Sequence, residues 1–288
     1  MWKSWSLFLA LPLIAAGAAP SFYGAAFTSG GAATLYSVSS TGTATAIGPI
    51  GFNQVGAMDV SASGTLYGIG LSGGTSALIT ISTTTGAGTL VAPVTGGGWV
   101  TGGAAQDIAF RPSDGTLFAY QFGNIYTINT TTGAATRLGA DGVGFPDGNG
   151  IAFSGSTLYY AGSNTPFTLN QSTGAATSVA SLGFAPAFGT TNPRSPAMKF
   201  DPATNTLWAI VISGRAGAQT SLGTINTTTA AVTFVGGTQT GIDAFALAVP
   251  ASSTTSSVPT LSSPMLAGLA VLMAGIGSLL ARPAEARQ

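Results

Sequence analysis

The sequence predicts an all-β chain built from a repeated unit of four short strands, and three observations carry that expectation. A Thr-Leu-aromatic segment recurs at Thr65-Leu66-Tyr67, Thr116-Leu117-Phe118, Thr157-Leu158-Tyr159 and Thr206-Leu207-Trp208, at spacings of 51, 41 and 49 residues. Each is followed by an apolar stretch ending in a Thr-rich turn: Ser82 to Gly86, Asn129 to Gly133, Asn170 to Gly174 and Asn226 to Ala230. Within these stretches apolar and polar residues alternate with a period of two between Gly and Asn breaks, the pattern of half-buried strands.

Taken in chain order, each unit opens with its own short strand, such as Asp107 to Phe110, Gly150 to Phe153 or Ala197 to Phe200. The Thr-Leu-aromatic strand follows, then the strand before the Thr-rich turn, then a last strand such as Ala135 to Leu138 or Ala231 to Phe234. Gly closes three of the four turns because a tight hairpin needs a residue with positive φ there, a region open to Gly without a Cβ clash. Ala230 holds that place in the last turn, so a different turn or local strain is expected.

Four strands per 40 to 50 residues resembles the blade of a β-propeller. Near the N-terminus, Phe22-Tyr23-Gly24 and Thr34-Leu35-Tyr36 match later units but lack an opening strand, while Asp243 to Val249 is a spare strand at the other end. The expected fold is therefore a five-bladed β-propeller over residues 19–250, closed by pairing of the C-terminal strand with the N-terminal blade. Closure is preferred to an open solenoid because it leaves no exposed sheet edge.

Composition narrows the function classes. Charged residues are only 6% of the 288, against about 25% in ordinary domains, and there is no Cys and no His. Thiolate nucleophiles, disulfides, imidazole bases and most zinc sites are thereby excluded. Between Ala19 and Ser257 five basic residues face seven acidic ones, a net charge of −2, so no basic stripe exists for nucleic acid. No cofactor and no metal site are expected. Asp141 to Gly150 lacks the spacing and the bidentate Glu of an EF-hand, and Gly96 to Gly103 lacks the Lys-Ser/Thr ending of a phosphate loop.

Both ends read as addresses. Lys3 followed by the apolar stretch Leu7 to Ala16 and the small-residue pattern Ala16-Gly17-Ala18 predicts a signal peptide over 1–18, cleaved after Ala18. At the other end a Ser/Thr linker, 251–257, precedes Val258-Pro259-Thr260-Leu261-Ser262, the charge-free run Met265 to Ala281, and Arg282 and Arg287. That run, at 1.5 Å per residue, is at the short end of a transmembrane helix, so 258–288 is expected to hold a motif, a membrane-crossing helix and a basic tail. The combination resembles the IPTL-CTERM sorting signal, a relative of PEP-CTERM signals, with Val258 standing for the usual Ile. The resemblance implies a sorting protease of the exosortase type as partner, a Gram-negative host, and an exported protein of the cell envelope or surface.

Two functional readings follow. The first is a non-catalytic surface or extracellular-matrix module, with no catalytic residue, displayed through its C-terminal segment and binding a glycan or an envelope partner. Its candidate binding face gathers the long irregular connections, with Trp99, Phe145, Arg194 and Arg215. The alternative is a secreted glycan-active hydrolase using channel aspartates, for which Asp59, Asp107 and Asp243, at or near opening strands, are the candidates.

Overall fold

The computed structural model describes residues 21–26, 31–144, 148–162, 165–188, 193–213 and 219–248. Its strands, in chain order, are β1 (Ser21–Ala26), β2 (Ala32–Ser39), β3 (Ala44–Val60), β4 (Leu66–Ser72), β5 (Thr75–Ile81), β6 (Gly88–Pro93), β7 (Asp107–Phe110), β8 (Leu117–Gln121), β9 (Asn124–Ile128) and β10 (Ala135–Ala140). They continue with β11 (Gly148–Ser154), β12 (Thr157–Gly162), β13 (Thr165–Leu169), β14 (Ala176–Ser178), β15 (Gly183–Phe184), β16 (Pro193–Asp201), β17 (Thr206–Ser213), β18 (Thr220–Ile225), β19 (Ala231–Gly237) and β20 (Ile242–Ala248). Among the described residues a 3-10 turn, Pro186–Phe188, interrupts them.

The fold is all-β and β-propeller-like, and the expected architecture needs correction on two points. Hydrogen bonding organises the strands into four sheets of seven, four, four and five strands, not five separate four-stranded blades. The cause is β3, which bends through Gly51 and Gln54, both at positive φ, and pairs with β2 along its first part and β4 along its last without breaking. The five-stranded sheet is enlarged by β15, which runs parallel to β19. Secondly, no helix among the described residues is long and apolar enough to cross a membrane. The segment 265–281 assigned to such a helix lies outside the described residues, as do the signal peptide with Ala18 and the motif Val258, Pro259, Thr260 and Leu261.

Strand β20 pairs antiparallel with β1, with Phe22 opposite Leu247 and Tyr23 opposite Ala246. The ends of the described chain thus share one sheet. Five apolar clusters lie between successive repeat units. One joins Leu35, Met58, Leu66 and Ala246; another joins Phe22, Ile210, Leu222 and Phe245 across the last and first units. At about 25 cal/mol per Å2 of buried apolar surface these faces supply the main drive for folding, which a chain so poor in charge could not draw from ion pairs.

A second contact recurs with the repeat. The Thr-rich turns that end in Gly86, Gly133 and Gly174 each seat on the outer strand of the unit before. Asn129 shows how the turn is built: its Oδ1 accepts from Thr131 N and Thr132 N, both at 2.9 Å, and Gly133 N donates to Asn129 O at 2.9 Å. Asn170 and Asn226 repeat the arrangement. The seat demands bare backbone: a methyl group at Gly139 would run into the Thr173 carbonyl, and one at Gly236 into the Thr41 carbonyl of the first unit.

At Ala230 the turn is not a different one, and the expected strain is there. It adopts the same turn, at φ 58°, with Ala230 N bonded to Asn226 O at 2.8 Å. Where Gly133 lies against the Pro93 carbonyl, Ala230 faces the short β15, with Gly183 N donating to its carbonyl at 2.9 Å, and its methyl is buried among Leu182 and Val232.

Candidate functional site

The innermost strands are the last part of β3 followed by β7, β11, β16 and β20, and each packs against the next. Pairing with the neighbouring strands sets their register: Val60, Phe110, Phe153 and Phe200 lie opposite Leu66, Leu117, Leu158 and Leu207, while Leu247 lies opposite Phe22. One residue earlier, the equivalent positions are Asp59, Ala109, Ala152, Lys199 and Ala246. Two of the five are charged in an otherwise apolar ring.

Lys199 and Asp107 form a buried ion pair at 3.0 Å. Lys199 Nζ donates to both Asp107 oxygens and to the Ile108 carbonyl at 2.9 Å. Asp107 Oδ1 also accepts from Ile108 N at 2.8 Å, and its Oδ2 from Ile151 N at 2.9 Å and Met198 N at 3.3 Å. One carboxylate therefore ties together β7, β11 and β16. Burial pushes its pKa up to about 7, opposed by the Lys199 charge and the backbone donors.

Asp59 is half-buried; its Oδ2 accepts from Phe110 N at 2.7 Å, which links β3 to β7. Burial raises its pKa, against the pull of Lys199. Asp243 sits at a register shift where β20 skips a residue against β1, the kind of bulge that re-aims a side chain. Burial raises its pKa to about 6, with the charge of Arg194 opposing. The three candidate acids thus fall into two groups, Asp59 and Asp107 under the field of Lys199 and Asp243 under that of Arg194.

As a catalytic pair these groups are poorly disposed. Asp107 is wholly buried and both oxygens are engaged by Lys199 and backbone N–H groups. A general acid must reach the atom it protonates, and Asp107 reaches only the protein. Among the described residues no group of three or more His, Cys, Asp or Glu side chains could hold a metal ion.

The residues placed on the irregular face have varied fates. Trp99 is buried at 6% exposure and meets Tyr126 edge to face, ring centroids 5.0 Å apart. Its loop is pinned by two buried polar side chains: Ser76 Oγ donates to Gly103 O at 2.7 Å, and Gln121 accepts from Val100 N at 2.9 Å and donates to Gly103 O at 2.9 Å. Arg194 is half-buried on β16. Phe145 and Arg215 lie outside the described residues.

Sequence reasoning passed over Lys199. Its signal was present: Ala197-Met198-Lys199-Phe200 puts a charge where the matching units carry Ala109 and Ala152. Nor were Tyr120, Tyr160 and Asp141 foreseen. Tyr120 donates to Asp141 Oδ2 at 2.7 Å, and its hydroxyl lies 2.8 Å from that of Tyr160, with the rings stacked at 4.7 Å. Burial raises both phenol pKa values and keeps them neutral. This network clamps two units together and places Asp141 inside the protein.

No family profile matches the chain, and no curated protein matches it. Solved structures are similar at low identity. Kuenenia stuttgartiensis hydrazine synthase is 16% identical with a TM-score of 0.41, the match covering 63% of this chain and 48% of that one. TolB from Acinetobacter baumannii is 12% identical with a TM-score of 0.47, covering 77% of this chain and 54% of the other. A protein of unknown function from Bacteroides caccae is 8% identical with a TM-score of 0.48, covering 81% of this chain and 100% of that one. The chain spans about half the length of the first two.

Proposed function

We propose that the chain is a non-catalytic, exported module of the bacterial envelope or surface, whose β-propeller-like body serves binding or support. The observation that carries this reading is the use made of the axial charges. In a body with so few ionisable groups, Asp107 and Lys199 are consumed in bracing three inner strands, and one oxygen of Asp59 holds a fourth to them. The leader-like N-terminus and the IPTL-like segment support export and processing by an exosortase-type protease. A glycan or an envelope component is the expected partner, on the face of the long connections.

Intact-mass measurement on envelope and medium fractions tests the export reading, with a mature chain beginning at Ala19 expected. Binding is tested by pull-down of the full-length protein on isolated envelopes and on purified surface polysaccharide. Phe145→Ala with Arg215→Ala is expected to weaken capture, and undiminished capture would end the assignment of that face. Release of reducing sugar from the same polysaccharide, abolished in Asp59→Asn, would instead favour the hydrolase.

A further inference from the structure

A cavity of about 300 Å3 opens where the inner strands end, on the side of the short Thr-rich turns and away from the irregular connections. Its collar takes one residue from each inner strand: Val60, Phe110, Phe153, Phe200 and Leu247. Its floor holds Asp59 and Lys199 with Ala109 and Ala152 between them. The repeat explains the shape, since equivalent positions of successive units project the same kind of side chain toward one axis.

Charge decides what this space would accept. Lys199 is already paired with Asp107, which does not line the cavity, so the carboxylate left facing the space is Asp59, half-buried there. Arg111 at the rim adds no net charge, because Asp114 neutralises it through two hydrogen bonds. An anion would meet repulsion at the floor. A hard metal ion would find one carboxylate among carbon walls, too few oxygens for its shell. A neutral sugar would lose its water to a collar that offers few polar partners. A cation wrapped in methyl or methylene groups suits both parts: the carboxylate takes the charge, and phenylalanine faces attract a cation through their quadrupole.

We propose that this axial mouth is a binding site for a small organic cation, an ammonium group bearing short alkyl substituents. The site is separate from the face assigned to glycan or envelope binding, so either can fail alone.

The test uses the full-length protein and two probes of matched shape, choline and its uncharged isostere 3,3-dimethylbutan-1-ol, with binding followed by calorimetry. Choline is expected to bind saturably and about tenfold more tightly than the isostere, the scale of a desolvated cation–π and charge contact. Asp59→Asn, which keeps an acceptor for Phe110 N, is expected to erase that preference. Phe200→Leu is expected to weaken choline about threefold, and serves if Asp59→Asn does not fold. Equal binding of the two probes, no saturable choline binding, or choline affinity unchanged in the variants would overturn the proposal. Envelope capture should be unaltered in Phe200→Leu, which separates this site from the other face.

Discussion

Replacing Lys199 by Met removes the cation from the axial brace while keeping much of its apolar stem. Asp107 then stays wholly buried, with three backbone donors but no counter-charge. Breaking a buried pair from one side costs about 3–5 kcal/mol at neutral pH, because the remaining charge is uncompensated. Asp107 has an escape, since it can take up a proton. Its folded pKa already lies near 7, above the value of about 4 in an unfolded chain, and loss of Lys199 raises it further. A folded pKa above the unfolded one stabilises fully below about pH 4, and that stabilisation is lost as pH rises through the folded value. The penalty of Lys199→Met should therefore be larger at pH 8 than at pH 5 by up to about 1.4 kcal/mol, because the two proteins' stabilities diverge only above the unaltered folded value near 7. Urea unfolding at pH 5 and pH 8, followed by the fluorescence of buried Trp99 and Trp208, measures it. A loss that is equal at the two pH values, or below about 1 kcal/mol at pH 8, would refute the account of Lys199 as the counter-charge of a buried carboxylate.

Three further outcomes are expected. In the unaltered protein Asp59, Asp107 and Asp243 all have raised pKa values, so stability should fall as pH rises from about 4 through 7, and Asp243→Asn should flatten the part between about pH 4 and about 6, as read from thermal midpoints across that range. Gly139→Ala should cost about 1–3 kcal/mol through overlap with the Thr173 carbonyl, whereas Gly102→Ala, where the nearest atom is 3.7 Å from the added carbon, should cost less than about 0.5. In the Thr-rich turns, Gly133→Ala should cost more than about 2 kcal/mol, because positive φ and the Pro93 carbonyl act together. Ala230→Gly, by contrast, should shift stability by less than about 1 kcal/mol, relief of φ offsetting a lost buried methyl; chemical denaturation measures both.

The strands were legible from local signals alone, because alternation and the Thr-Leu-aromatic landmarks recur in each unit. The turns were legible too, since Asn followed by Thr-Thr and Gly encodes its own hydrogen bonds within five residues. Which side chains are displayed was decided only by tertiary structure. Trp99 looked like an exposed anchor on a variable loop, yet Ser76 and Gln121, remote in sequence, fold that loop back and bury it. Ala230 remains a strained exception at φ 58°, and only the fold shows what its methyl meets, the buried Leu182 and Val232. The axial brace is non-local in the same way: Asp107 and Lys199 are 92 residues apart, and no local pattern pairs them. Strand formation depends on neighbours along the chain, whereas burial and ion pairing depend on which units the apolar faces bring together, and that information is spread over the whole repeat.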